Sequence, residues 1–390
     1  MKIIIAPDSF KGSLTSAEAG EAIAAGIKEI LPECRIQAIK AADGGEGTIR
    51  ALMEVLGGRI HEAEVHDPLM RPIKAIYGIS EDGTTAMIEM SAASGLCLLR
   101  EEEMNPSVTT TFGTGELICD AFRNGCRHFL VGIGGSATND AGTGMLSALG
   151  VRFYDSRGML LHGTGESLKN ITYIDTAGIP AGMLDADFTI ACDVDSPFCG
   201  PEGAAYVFAP QKGADADMVK RLDQGMESFA SVTLRQTGYD MQKAEGAGAA
   251  GGLGGAFAAF LGGKLVSGSE MILEAAGFDR LLKDADIVIT GEGRIDRQTS
   301  KGKLPYRVLM HASSYGIPVI AIAGSVSTED NPGFAAVLPV VQGPCSLAEA
   351  MDRHTAYNNI RRTAVQIANL ISLPTKRGTG HHNKKAATSL

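Results

Sequence analysis

The sequence predicts an α/β protein in which both ends of the chain build one discontinuous doubly wound, mostly parallel, Rossmann-like domain, with a mixed α/β domain inserted between them. Two observations carry this. Strand, Gly-rich or acidic loop and helix alternate regularly after Lys2 and again after Asp286, whereas from about Asp67 the chain breaks into hairpin-like pieces. The expected division is 1–66 with 265–373 for the terminal domain, 67–264 for the insert, and a polar, basic, unpatterned tail at 374–390 that reads as disordered. A split into N-terminal and C-terminal halves is the competing layout. With 390 residues, at roughly 150 per domain, the chain has room for two or three cores.

Lys2 to Ala6 is an apolar strand ended by Pro7, and Asp8-Ser9-Phe10-Lys11-Gly12-Ser13 is the loop beyond its carboxyl end. Thr15 and Glu18 form a capping box for a helix whose Ala19, Ala22, Ile23, Gly26, Ile27 and Ile30 share one face before Pro32. Ile36 to Ala42 is a second strand, followed by the acidic loop Asp43-Gly44-Gly45-Glu46-Gly47-Thr48 and a helix carrying Ile49, Leu52, Met53 and Leu56. Ile73 to Ile79 and Thr84 to Met90 flank Glu81-Asp82-Gly83 as a hairpin. A helix with Leu117, Ile118, Ala121 and Phe122 and a strand from His128 to Val131 lead into the loop from Gly132 to Asp140. Thr189 to Cys192 is another strand, with Asp193 and Asp195 just past it.

Ile287, Val288 and Ile289 begin a strand that suits burial on both faces. It is expected to break at Gly291 and Gly293, leaving Glu292, Arg294 and Asp296 on a loop, before Pro305 opens a helix with Val308, Leu309 and Ala312 inward. Pro318 to Ala323 and Ala335 to Val341 complete the strands.

Composition narrows the function classes. Asp plus Glu number 45 against 35 Lys plus Arg, and a net charge of −10 argues against an extended nucleic-acid surface or an anionic-lipid surface. With 49 Gly, 5% aromatics and no Trp, the chain favours tight backbone turns over aromatic binding platforms. The N-terminus is too short in apolar residues for a secretory signal. The uncharged run between Gly246 and Lys264 has only Leu253, Phe257, Phe260 and Leu261 as large apolar residues, so a membrane span is rejected. Seven cysteines, with no CxxC pair and no His at zinc spacing, read as reduced thiols in a cytoplasmic protein.

Two glycine patterns resemble dinucleotide fingerprints. Gly132, Gly134 and Ala137 follow a strand as GxGxxA, and Asp155 stands after Val151 to Tyr154 where a ribose-binding acid is expected. Ser136, Thr138, Asn139 and Asp140 crowd that loop with polar groups, however, and Gly142 and Gly144 weaken the helix start it needs. Gly246, Gly248 and Gly251 also match, but no buried strand precedes them, and close packing of small residues explains them better. No GxxxxGK[ST] run occurs. The loop from Gly132 to Gly144 can still cradle an anion with its amides.

Phosphoryl transfer needs cations on phosphate oxygens, a carboxylate-held Mg²⁺ and a group that accepts the hydroxyl proton. Asp8, Asp43, Glu46, Glu292 and Asp296, with Lys11, Arg294 and Lys303, all follow expected strands of one sheet, whose parallel order would bring them to one edge. Asp140, Asp193 and Asp195 of the insert could face the same cleft.

Six blocks then carry a resemblance: APDSFKGSL from Ala6, ADGGEGT from Ala42, GIGGSATND from Gly132, ACDVDSP from Ala191, FAPQKGA from Phe208 and TGEGRIDRQTSKGK from Thr290. Over Met1 to about Leu373 the chain resembles the bacterial type-1 glycerate kinase family. Ala141 and Thr143 depart from the expected glycines of one block. The resemblance implies ATP-dependent, Mg²⁺-assisted phosphorylation of D-glycerate in the cytoplasm, giving 2-phosphoglycerate at a site between two α/β domains, with a small-molecule substrate, no nucleic acid or membrane partner, and room for a homo-oligomer.

Residue chemistry assigns the roles. Asp296 is the first choice for hydroxyl base and Asp193 the second, with Lys11 as the catalytic cation. Arg294, Asp8 and Ser9 would bind substrate, with Arg294 on its carboxylate. Gly134, Gly135, Ser136 and Lys303 would hold nucleotide phosphate, and Glu292 and Asp43 the metal. The alternatives are an NAD-dependent hydroxy-acid dehydrogenase, if Asp155 contacts a ribose, and a non-catalytic sugar-acid binding or sensing protein.

Overall fold

The computed structural model describes residues 1–39, 52–53, 56–296, 299, 303–327 and 331–373. Its strands in chain order are β1 (Lys2–Pro7), β2 (Arg35–Ala38), β3 (Arg59–His66), β4 (Pro72–Ile79), β5 (Thr85–Glu89), β6 (His128–Gly132), β7 (Arg152–Tyr154), β8 (Leu160–Leu161), β9 (Tyr173–Asp175), β10 (Asp187–Ala191), β11 (Lys264–Val266), β12 (Ile287–Ile295), β13 (Val319–Val326) and β14 (Ala336–Pro339). The helices that matter below are α1 (Ser16–Ile30), α2 (Phe112–Arg123), α3 (Thr143–Ala148), α4 (Ala249–Leu261), α5 (Gly268–Ala275), α6 (Phe278–Leu282), α7 (Leu304–Ser314), α8 (Leu347–Met351) and α9 (Arg353–Ile371).

The architecture is mixed α/β with mostly parallel sheets. One sheet, ordered β14-β13-β12-β1-β2, draws on both ends of the chain and is parallel at every pairing. Both faces are covered, as its near-continuous apolar strands require. Ile4, Ala6 and Val288 pack with Leu304, Val308 and Leu309 of α7, whereas Ile3, Ile5 and Ile289 pack with Ile23 and Ile27 of α1 and Ile360 and Ile367 of α9. The strand order runs outward in opposite directions from the β1/β12 junction, which makes that junction the topological switch point.

A second sheet, β11-β10-β6-β5-β4-β3, is parallel from β11 to β5 and antiparallel from β5 to β3; a small antiparallel sheet, β8-β7-β9, stands apart. Pairing of β3 with β4 and of β11 with β10 carries the second sheet past both expected limits of the insert. We therefore propose a division before Arg59 and after Val266 in place of 67–264.

Local expectations meet the structure in detail. The Thr15/Glu18 capping box starts α1, Pro305 sits in the first turn of α7, and β4 and β5 form the hairpin. The strand expected to break at Gly291 instead runs to Ile295, pairing Glu292 with Ala323 and Arg294 with Ser325. Gly291 is there for close approach, since a Cβ on it would lie 2.5 Å from Ile322 O; at Gly293 a Cβ would come no nearer than 3.6 Å to Lys11 N, and it is Gly324 of β13 whose Cβ would lie 2.6 Å from Gly293 O. Strand β2 is shorter than expected, and the loop with Asp43 and Glu46 lies outside the described residues. In the Gly/Ala run, α4 bends through positive φ at Ala250, Gly251 and Gly252, and Gly251 passes so near Thr138 O that a Cβ would lie 2.2 Å away. No helix among the described residues is long and apolar enough to cross a membrane. All seven cysteines are free.

Two predictions concern stability. Gly26 of α1 meets α9 so closely that an added Cβ would lie 2.2 Å from Arg361 O and 2.8 Å from Ala364 Cβ. Gly to Ala inside a helix ordinarily gains up to about 1 kcal/mol, but overpacking costs about 1–3 kcal/mol. Gly26→Ala should therefore lower the midpoint of chemical denaturation; a raised midpoint contradicts the packing. His311 of α7 bridges Glu270 of α5, 2.8 Å from Nε2, and Asp279 of α6, 2.6 Å from Nδ1. The Glu270 hydrogen bond, reinforced by Asp279 and opposed by burial, raises its pKa to about 9. A pKa raised on folding contributes stability in full below the unfolded value of about 6.5 and loses it as pH rises through the folded value. His311→Gln should thus destabilise most near pH 6 and least near pH 10, and equal cost at both contradicts the charged bridge.

Candidate active site

The carboxyl edge of the first sheet opens into a cavity of about 840 Å³ at the switch point. Loop and strand are joined there by main chain, since Asp8 N donates to Gly291 O at 2.7 Å. The loop after β1 closes on itself through Phe10 and Leu14, with Gly12 at φ 78°, and presents Asp8, Ser9 and Lys11 to the cavity. Opposite them β12 supplies Glu292 and Arg294, and the N-cap of α7 supplies Lys303. Phe10, Val340, Val341, Leu347 and Met351 form an apolar wall.

Glu292 is the fixed point of this cavity. Only 4% exposed, it accepts from Thr299 Oγ1 at 2.6 Å through one oxygen and from Lys303 Nζ at 2.7 Å through the other. A carboxylate buried on a strand is tolerable because both oxygens are satisfied. Arg294 is largely exposed, and its Nε stands 3.1 Å from Asp296 Oδ2. Ser13 Oγ, also lining the cavity, is buried without a hydrogen-bond partner, an orphan that a polar ligand would satisfy.

A second cavity, of about 250 Å³, lies beyond β6 and β10 and gathers Gly134, Gly135, Ser136, Asp193 and Lys212. Lys212 is 1% exposed; its Nζ donates to Ser136 Oγ at 2.6 Å and Thr138 O at 2.7 Å. Burial pushes its pKa down to about 7, against the attraction of Asp140. Asp140 is fully buried and accepts from Thr111 N and Oγ1 at 2.7 and 2.8 Å, Gly142 N at 3.1 Å and Gly144 N at 3.2 Å. Burial raises its pKa and these donors oppose the rise. Asp193 Oδ1 accepts from Gly268 N at 2.9 Å and so holds the start of α5.

The expected residues thus divide. Asp8, Ser9, Lys11, Glu292, Arg294 and Lys303 meet in the larger cavity, with Asp296 beside Arg294; Gly134, Gly135, Ser136 and Asp193 line the smaller. Asp43 and Glu46 lie outside the described residues. Helices α5 and α7, which start beside the two cavities, pack against each other. Glu270, in the first turn of α5, contacts Arg307 and His311 of α7, so the end held by Asp193 and the end capped by Lys303 come close together.

Asp155, the acid a dinucleotide fingerprint would need, accepts instead from Arg157 N at 2.9 Å and Met159 N at 2.8 Å in the β7–β8 turn. Since β7 belongs to the antiparallel sheet rather than beside β6, the fingerprint geometry is absent and the dehydrogenase reading falls. Lys212, Thr299 and Ser13 were not singled out by sequence. A lysine among Pro210, Gln211 and Gly213 reads as a surface turn, and only the small flanking Ala209 and Ala214 hint at burial.

Comparison with known proteins identifies the family of the whole chain. The model of the Glycerate kinase family matches residues 3–372. The chain is 46% identical over 377 residues to "Glycerate kinase" of Bacillus subtilis (strain 168), covering 96% of this chain and 98% of that one. It is 43% identical over 377 residues to "Glycerate 2-kinase" of Escherichia coli (strain K12), covering 96% and 98%. A crystal structure assigned to glycerate kinase 2 of Salmonella typhimurium LT2 superposes with a TM-score of 0.81 at 44% identity, covering 95% of this chain and 98% of that one. The chain therefore belongs to the glycerate kinase family and is an enzyme, a kinase.

Proposed function

We propose that the chain transfers the γ-phosphoryl group of ATP to the C2 hydroxyl of D-glycerate with the help of Mg²⁺, giving 2-phosphoglycerate and ADP. The observation that carries this reading is the meeting of Asp8, Lys11, Glu292, Arg294 and Lys303 in one cavity at the switch point of a parallel sheet. The name of the Escherichia coli relative supports the acceptor and the hydroxyl.

In the transfer, the C2 oxygen bonds to the γ-phosphorus as that phosphorus loses its bond to the β,γ-bridging oxygen. ADP leaves with the bridging oxygen, and the hydroxyl proton passes to a carboxylate. Lys11, Arg294 and Lys303 offset charge on the phosphate oxygens, and Lys303 is held in place by Glu292 beforehand. Mg²⁺, when bound, draws charge from the β- and γ-phosphate oxygens. Asp8 and Glu292 are the carboxylates of the cavity that could hold it, and the buried, unpartnered Ser13 hydroxyl fits a polar ligand there. Among the described residues no group of three or more His, Cys, Asp or Glu could hold an ion.

Of the two candidate bases, the surroundings favour Asp193 over Asp296. Asp296 is engaged by Arg294, whereas Asp193 is held through Oδ1 and keeps its other oxygen for the substrate hydroxyl. A coupled assay should release ADP only when D-glycerate, ATP and Mg²⁺ are all present, and phosphorus NMR should show the ester at C2. Absence of ADP contradicts the reading. Asp193→Asn retains an acceptor for Gly268 N, so it should keep the melting temperature while lowering kcat by about 10²–10⁴-fold. Lys11→Ala should lower kcat/KM by about 10²-fold or more. Near-normal rates in both variants would remove these roles.

A further inference from the structure

We infer that the 250 Å³ cavity lined by Gly134, Gly135, Ser136, Asp193 and Lys212 is the acceptor subsite, taking a small 2-hydroxy acid with its carboxylate on Lys212 and the glycine-loop amides and its hydroxyl toward Asp193. This rests on the phosphoryl-transfer reading above and reverses the expected split, in which the glycine loop held nucleotide phosphate.

Size sorts the ligands first. A three-carbon acid suits the smaller cavity, while a nucleoside triphosphate needs a space like the 840 Å³ cavity, whose apolar wall and cations match a base and its phosphates. Charge sorts them next. As an ammonium, Lys212 uses two of its three N–H donors on Ser136 Oγ and Thr138 O and has one left for an anion, whose charge in turn favours the protonated form. Counter-ion duty toward Asp140 does not account for its burial: four donors from Thr111, Gly142 and Gly144 already satisfy that carboxylate, and no ion pair between the two is present among the described residues.

The loop supplies the rest. Among the described residues, the amides of Gly134 and Gly135 donate to no backbone carbonyl. Gly135 needs its glycine for φ 72°, but an added Cβ at Gly134 would meet nothing within 4 Å. Gly134 is therefore open toward the cavity, and a side chain there fills the space without straining the fold.

The test is Gly134→Leu, read by calorimetric titration with D-glycerate and separately with a non-hydrolysable ATP analogue plus Mg²⁺, alongside steady-state kinetics and melting temperature. The plug should raise the D-glycerate Kd and KM about tenfold or more while the analogue's Kd and the melting temperature stay unchanged. Ser136→Ala should move the D-glycerate KM in the same direction with the KM for ATP unchanged. Weakened analogue binding with D-glycerate unaffected would assign the cavity to nucleotide phosphate and overturn the inference, as would no change for either ligand. A wild-type protein that neither binds nor phosphorylates D-glycerate overturns the reading of function itself, a separate outcome from a wild type that turns over and ignores the plug.

Discussion

Strands from opposite ends of the chain, β1 and β12, run side by side in parallel with Ile3 opposite Ile287 and Pro7 opposite Gly291. Every charged group of the larger cavity depends on that register. The hydrogen bond from Asp8 N to Gly291 O extends the ladder one residue past β1, so the loop carrying Lys11 leaves the sheet next to Glu292. A parallel pair that is buried on both faces cannot slip by one residue without exchanging the isoleucines that face α1 for those that face α7. Core packing thereby sets the position of the chemistry to within a residue.

The charges in the two cavities are held before any ligand arrives. Glu292 and Lys303 form a pair on a strand and a helix cap, and Lys212 is fixed by Ser136 and by the Thr138 carbonyl. Buried charges of this kind are costly unless fully hydrogen-bonded, and both sets approach that condition. A charge whose desolvation cost is met on folding is ready to interact strongly with an anion when one enters. The helices that end at the two cavities, α5 and α7, are themselves bridged by His311 between Glu270 and Asp279, so one structural element ties the second sheet's cavity to that of the first.

Much of this was legible in the sequence because local signals agreed with the tertiary ones. Apolar Ile3 to Ile5, the Thr15/Glu18 box and Pro305 each act within a few residues, and Asp8, Lys11 and Lys303 follow the strands they were expected to follow, whereas Glu292 and Arg294 sit on one. What was not legible depended on partners distant in sequence. Gly291 and Gly293 read as breaks, since only the neighbouring β13 reveals that the strand continues and that Gly291 allows its close approach. Strand β3 was hidden because Ala63 and Val65 are its only buried apolar side chains, set among exposed Glu62 and Glu64 and half-buried His66. Lys212 was hidden because its burial is imposed by the loop of Ser136 and Thr138, more than seventy positions away.

We propose that the cations at the switch point receive the nucleotide phosphates. The most direct measurement is a crystal structure with a non-hydrolysable ATP analogue and Mg²⁺. The triphosphate should lie against Lys11, Arg294 and Lys303, with the base along the wall of Val341, Leu347 and Met351. A triphosphate seated on Gly134, Gly135 and Ser136 instead, with the switch-point cavity vacant, would contradict it.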